Sequence, residues 1–279
     1  MMLRSLPAYI LFILICTLSA GPVFTQSQQE EPIMIFLLAG QSNMDGCGRS
    51  EELPQAYRLP PGNVVTWDNK TELWVQLGDD SFAAAREQQF GPEIAFSHKM
   101  SAAYPDHTIA IIKCSAGGTK LYSHWLPGQK MHERFTQRIN HATSQLKNSG
   151  SAFEICGMLW MQGESDSETV EMAEAYENNL KIFIQDIRLE IEKGDLPFVM
   201  GRISSSLLKD TPWVFDYTPV VQEAQERVAA GDENVHIINT DKLPCLEDNT
   251  HFNTKAQIKL GKAMARIMKS ELKKHEKSH

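Results

Sequence analysis

Residues 33–44 read Ile33-Met34-Ile35-Phe36-Leu37-Leu38-Ala39-Gly40-Gln41-Ser42-Asn43-Met44. An unbroken apolar run without polar alternation describes a strand buried on both faces, and such strands belong to parallel sheets covered by helices. The run stops abruptly at Gly40-Gln41-Ser42-Asn43, a polar turn at the carboxyl end of the strand. Ligands of open parallel sheets bind outside that end. Fold and candidate chemistry therefore meet in one short stretch.

Working outward, Thr108–Lys113, Ile155–Met161, Phe198–Ile203 and Val235–Asn239 repeat the pattern of consecutive apolar residues. Between and after them, Pro92–Ala103, Glu133–Lys147, Glu168–Lys193, Pro219–Ala230 and Thr254–Lys274 carry apolar residues at helical spacing. The last opens on Thr254-Lys255-Ala256-Gln257, a capping-box pattern. Strands alternating with helices predict an α/β fold: a doubly wound, three-layer α/β/α sandwich around a five-stranded, mainly parallel sheet. Two intervals, Met44–Phe90 and Gly117–Met131, are rich in Gly, Pro, Asp and aromatic residues and are expected to be long loops over the binding crevice.

The chain has 279 residues, 42% of them hydrophobic and 22% charged, the balance of a globular protein with a sizeable core. At its start, Arg4, the apolar run Ala8–Leu18 and the small residues Ser19-Ala20 read as a secretory signal peptide over 1–20. Residues 21–31 then form a disordered linker, and 32–279 one domain. The expected location is secreted or periplasmic, and no membrane association is expected after cleavage. The formal net charge of −8 disfavours nucleic acid, since the only dense basic stretch, Lys269–Lys277, is interrupted by Glu271 and Glu276. Cys47, Cys114, Cys156 and Cys245 are spaced too widely for a zinc ribbon or a redox pair, and Cys114 and Cys156 read as buried free thiols. His-Glu-x-x-His and the Gly-x-x-x-x-Gly-Lys phosphate loop are both missing from the sequence, so no metal or organic cofactor is expected.

Three strand ends carry unusual polar residues: Gly40-Gln41-Ser42-Asn43, Ser115-Ala116-Gly117-Gly118-Thr119 and Gln162-Gly163-Glu164-Ser165-Asp166. A fourth segment, Asp248-Asn249-Thr250-His251, precedes the last helix. Together they supply what a serine hydrolase requires: a hydroxyl nucleophile, an imidazole base, a carboxylate to orient it, and donors for an oxyanion. Ser42 is the candidate nucleophile and His251 the candidate base. Glu164 or Asp248 is the orienting acid. Gly117 and Gly118 permit close backbone approach, and the Gln162 amide offers a side-chain donor. Gln41, Asn43 and Asp166 are candidates for holding the turns or the substrate. Met44 stands where the nucleophile elbow of α/β-hydrolases needs a glycine, which disfavours that class.

These blocks resemble the SGNH hydrolases, in the branch of sialate O-acetylesterase-like proteins and carbohydrate esterase family six acetylxylan esterases. Phe36–Met44 looks like the first block, Ala116–Thr119 the second, Trp160–Asp166 the third and Asp248–His251 the last, in the family's order. The resemblance spans roughly residues 33–265. It implies a flavodoxin-like SGNH fold, Ser42 as nucleophile and His251 as base. The implied oxyanion donors are the Ser42 N–H, a glycine of Gly117-Gly118, and Gln162 in place of the asparagine common in other branches. The expected function is an exported serine esterase removing O-acetyl groups from a carbohydrate, such as acetylated xylan, without a cofactor. The alternatives are a non-catalytic glycan-binding protein of the same fold and an SGNH lipase or thioesterase with an apolar acyl tunnel.

Overall fold

The computed structural model describes residues 31–78 and 88–278, so the expected leader over 1–20 and the linker up to residue 30 lie outside the described residues. The chain enters the fold through β1 (Ile33–Gly40) and turns directly into the short helix α1 (Ser42–Asp45). There follow β2 (Gly48–Arg49), α2 (Gln55–Arg58), β3 (Val64–Asp68), β4 (Leu73–Gln76), β5 (Gln89–Phe90) and α3 (Glu93–Ser101). The second part contains β6 (Ile109–Ser115), α4 (Lys130–Ser149), β7 (Phe153–Met161), α5 (Val170–Glu190), β8 (Phe198–Gly201), α6 (Thr218–Ala230), β9 (Val235–Ile238) and α7 (Thr254–Ser278).

The main sheet has seven strands in the order β4-β3-β6-β1-β7-β8-β9, while β2 and β5 pair separately. Within the main sheet all neighbours are parallel except β3 and β4, and β2 and β5 pair antiparallel. Ile35–Ala39 of β1 are completely buried, as a central strand with helices on both faces requires. On one face α3 packs against α7, where Phe96 meets Phe36 edge to face at 5.1 Å and Met268 occupies the space that Gly157 leaves free. On the other face α5 packs against α6, and Phe183 of α5 lies 4.6 Å from the ring of Trp160. Cys114 and Cys156 are buried free thiols of β6 and β7, and burial pushes them up to about 11 and about 12.

Two details differ from the sequence reading. The sheet has seven strands rather than five, because part of Met44–Phe90 is not loop: β3 and β4 form a hairpin that extends the sheet edge beyond β6. Its physical basis is local. Val64, Val65, Thr66 and Trp67 face Leu73, Trp74 and Val75 across a turn in which Asp68 accepts from Lys70 N–H and Thr71 Oγ, and Trp67 and Trp74 form a cross-strand ring pair at 5.5 Å. The α7 cap also moves by one residue. Asn253 Oδ1 accepts from Ala256 N–H, while Thr254 Oγ accepts from Arg49 N–H and the Gln257 amide reaches Asn43 O.

Candidate active site

The three central strands end in register: Gly40 of β1 pairs with Ser115 of β6 and with Met161 of β7. The polar segments that follow therefore start side by side, at the point where the connections from β1 diverge to either side of the sheet. Gly40 makes this closure possible. It adopts φ +151°, and a Cβ there would stand 2.1 Å from Met161 O. Gln41 N–H donates to Met161 O at 2.9 Å, and Ala116 N–H donates to Gly40 O at 3.2 Å, joining the three turns by backbone alone.

Ser42 is the first residue of α1, so the helix itself supplies no acceptor for its backbone N–H. Gly117 lies beside it, since a Cβ at Gly117 would be 3.7 Å from Ser42 Cβ. Gly118 instead takes φ +70° and faces open space. Of the two glycines, Gly117 borders the candidate nucleophile and Gly118 makes the turn.

His251 and Asp248 form a local pair. His251 Nδ1 is 2.7 Å from Asp248 Oδ2, while Asp248 Oδ1 accepts from the backbone N–H of both Thr250 and His251 at 2.9 Å. Partial burial pushes the Asp248 carboxyl up, but the N–H and ring of His251 and the N–H of Thr250 together outweigh it and hold the carboxyl below the usual range. Such a pairing fixes Nδ1 as the protonated ring nitrogen and leaves Nε2 to act as a base.

Glu164 occupies different surroundings. Its Oε1 accepts from Asn43 Nδ2 at 2.7 Å, and its Oε2 finds no hydrogen-bond partner among the described residues. The residue is 1% exposed, and burial pushes its carboxyl up despite the bond from Asn43. Glu164 is thus joined to the first block and not to the His251 ring. Asn43 continues the link: its Nδ2 also donates to Thr250 O at 3.0 Å and its Oδ1 accepts from Phe252 N–H at 2.8 Å. One carboxamide next to Ser42 thereby grips the backbone on both sides of His251.

Gln162, expected as an oxyanion donor, sits inside the network that joins the turns. It is completely buried, and its Nε2 lies within hydrogen-bond distance of Thr119 O, Gln41 Oε1 and Asp166 Oδ2. Three acceptors compete for its two amide hydrogens. Tyr176 Oη and Gln225 Nε2 donate to the main-chain carbonyl of Gln162, and Tyr176 Oη also lies 3.2 Å from its Oε1. Gln41 acts as a clasp in the same network, its Oε1 accepting also from Gly163 and Ser165 N–H. Asp166 ties the third block to the second, accepting from Leu121 and Tyr122 N–H at 2.8 and 2.9 Å. Burial pushes the Asp166 carboxyl up to about 6 against these donors. The roles of Tyr176 and Gln225 carry no local sequence signal, because both reach Gln162 from separate helices. No group of three His, Cys, Asp or Glu side chains among the described residues is arranged to hold a metal ion.

A family model described as carbohydrate esterase, sialic acid-specific acetylesterase, matches residues 32–270. A probable carbohydrate esterase of Arabidopsis thaliana, At4g34215, is 29% identical over 254 residues, covering 84% of this chain and 89% of its own. The crystal structure of that protein superposes with a TM-score of 0.73 at 26% identity, covering 86% of this chain and 99% of its own. The fold is also shared with a carbohydrate acetylesterase of Xanthomonas citri, XAC1771, at a TM-score of 0.58 and 16% identity, covering 83% of this chain and 55% of that one. NanS matches at a TM-score of 0.66 and 14% identity, covering 88% and 98% of the two chains. With Ser42, Gly117, His251 and Asp248 gathered at one sheet edge and the family model spanning nearly the whole described fold, this chain belongs to the sialic acid-specific acetylesterase family of carbohydrate esterases.

Proposed function

We propose that the protein is an exported serine esterase that removes O-acetyl groups from a carbohydrate through an acetyl-serine intermediate. The observation that carries this reading is the 2.7 Å His251–Asp248 pair, held by Asn43 against the turn that presents Ser42. In this mechanism His251 Nε2 takes the Ser42 proton as Oγ attacks the acetyl carbonyl. The oxyanion forms at the Ser42 and Gly117 N–H groups. The bond from acetyl carbon to sugar oxygen then breaks, and that oxygen leaves with the proton from His251. Water attacks the acetyl-serine with His251 again as base, releasing acetate and restoring the Ser42 hydroxyl.

Asp248 is the orienting acid of this scheme, and Glu164 supports Asn43. Gln41, Gln162 and Asp166 hold the turns and touch no reacting atom. The test is acetate release by the mature protein from acetylated xylan, an O-acetyl sialate and a small alkyl acetate, beside Ser42→Ala. Release lost with Ser42 supports the esterase, and the relative rates begin to name the sugar. Equal release by wild type and Ser42→Ala overturns Ser42 as the nucleophile, and no release from any ester by a folded protein overturns the esterase in favour of a glycan-binding role.

A further inference from the structure

Tryptophan is well suited to lie against a sugar ring, because the apolar C–H face of a pyranose meets the negative face of the indole. The chain has five tryptophans, and their surroundings separate them sharply. Trp125 and Trp160 are completely buried in the core and stack edge to face on each other. Trp67 is 5% exposed and packs against Trp74 in the β3–β4 hairpin, where the Trp74 indole N–H donates to Ala142 O. Trp213 alone is exposed, at 46%, and its ring lies 5.5 Å from the ring of His251 at an interplanar angle of 88°.

The segment that carries Trp213 is built to hold it there. Asn249 Nδ2 donates to Asp210 O at 2.7 Å, fastening one end to the Asp248–His251 loop. Tyr217 N–H donates to Ser167 O at 3.0 Å, fastening the other end to the third block. Pro212 stiffens the chain immediately before the indole, and Phe215 backs it with ring centroids 6.3 Å apart. Val214, 62% exposed, adds apolar surface to the same segment. Exposed large apolar side chains clustered beside a polar site mark a binding surface.

The chemistry of the reaction says what that surface meets. When the tetrahedral intermediate collapses, the departing sugar oxygen takes its proton from His251, so the alcohol lies on the imidazole side and the acyl methyl on the other. A group in ring contact with His251 therefore borders the alcohol. We infer that Trp213 is the platform for the sugar ring that bears the acetyl ester, a specificity determinant for the alcohol and not for the acyl chain. The inference rests on the esterase reading of this site.

The experiment compares wild type with Trp213→Leu, which keeps an apolar side chain without the aromatic face, and with Trp213→Phe. The measured quantity is the ratio of kcat/KM for the acetylated sugar that wild type hydrolyses fastest to kcat/KM for ethyl acetate. Trp213→Leu is expected to lower this ratio about tenfold, chiefly through KM for the sugar, and Trp213→Phe to recover most of it. The ratio of acetyl to butyryl ethyl esters is expected to stay as in wild type. An unchanged sugar ratio, or an equal fall for sugar and ethyl acetate that marks Trp213 as a mere support of His251, overturns the inference. Retention of turnover by Ser42→Ala would instead overturn the esterase reading, and the two failures are separately visible.

Discussion

Asp248 and Glu164 are two carboxylates in one site, and their surroundings give them different work. Asp248 accepts three donors from residues 250 and 251 and meets the imidazole directly, whereas Glu164 meets only Asn43 and is buried to 1% exposure. Asp248→Asn places an amide where Nδ1–H needs an acceptor, and kcat/KM is expected to fall by about 10³–10⁴-fold. Glu164→Gln keeps an oxygen for Asn43 Nδ2 and relieves a buried carboxyl, so the loss is expected to stay under about tenfold. Steady-state kinetics on any hydrolysed acetate ester decide between them, and the reverse order would make Glu164 the orienting acid. The sequence alone left this choice open for a physical reason. The spacing of Asp248 and His251 is local and visible, but the partner that occupies Glu164 lies 121 positions away in the chain. The surroundings of Gln162 were hidden for a similar reason: its amide lies against Thr119, Gln41 and Asp166, contacts that only the assembled turns create.

At the scale of elements, the site depends on how closely β1 approaches β7 where both end. Gly40 stands at φ +151° with Met161 O in the place of its missing Cβ. Gly40→Ala must either push the β1 and β7 ends apart or strain the backbone, and is expected to destabilise the protein on the order of 3 kcal/mol. Chemical denaturation measures this directly, and a change below about 0.5 kcal/mol would show that the strand ends relax freely. The strands β1, β6, β7, β8 and β9 and the helices α3 to α7 were legible because continuous apolar runs and helical spacing are strong signals. The β3–β4 hairpin was not read, although Val64-Val65-Thr66-Trp67 and Leu73-Trp74-Val75 carry β-branched and aromatic residues around an Asp-Asn-Lys-Thr turn. An edge hairpin lacks the long apolar run of a central strand, and its surroundings of Gly, Pro and Asp masked it. Trp213 shows the same limit: it stands 38 positions before His251 in the chain, and only the fold sets it beside that ring.

Across the whole molecule, the three strand-end turns are stitched by buried polar side chains, and Asp166 is a titratable group among them. It is completely buried, accepts from Leu121 and Tyr122 N–H and from Gln162, and burial pushes its carboxyl up to about 6 from an ordinary value of 3.8. Because the folded value is raised, the native state binds more protons than the unfolded chain between these two values. Stability from this group is therefore greatest below about pH 4 and falls as pH rises through 6, by on the order of 2–3 kcal/mol. Asp166→Asn cannot ionise and lacks that slope. It also loses one acceptor to the Leu121–Tyr122 turn, a deficit of about 1–3 kcal/mol that does not vary with pH. The variant is thus expected to be less stable than wild type at pH 4.5, with the gap narrowing toward pH 7.5. Urea unfolding of both proteins at the two pH values measures the gap. If it widens with pH instead, the donors around Asp166 outweigh its burial, and the carboxylate is a source of stability at neutral pH rather than a desolvated charge that the turns tolerate.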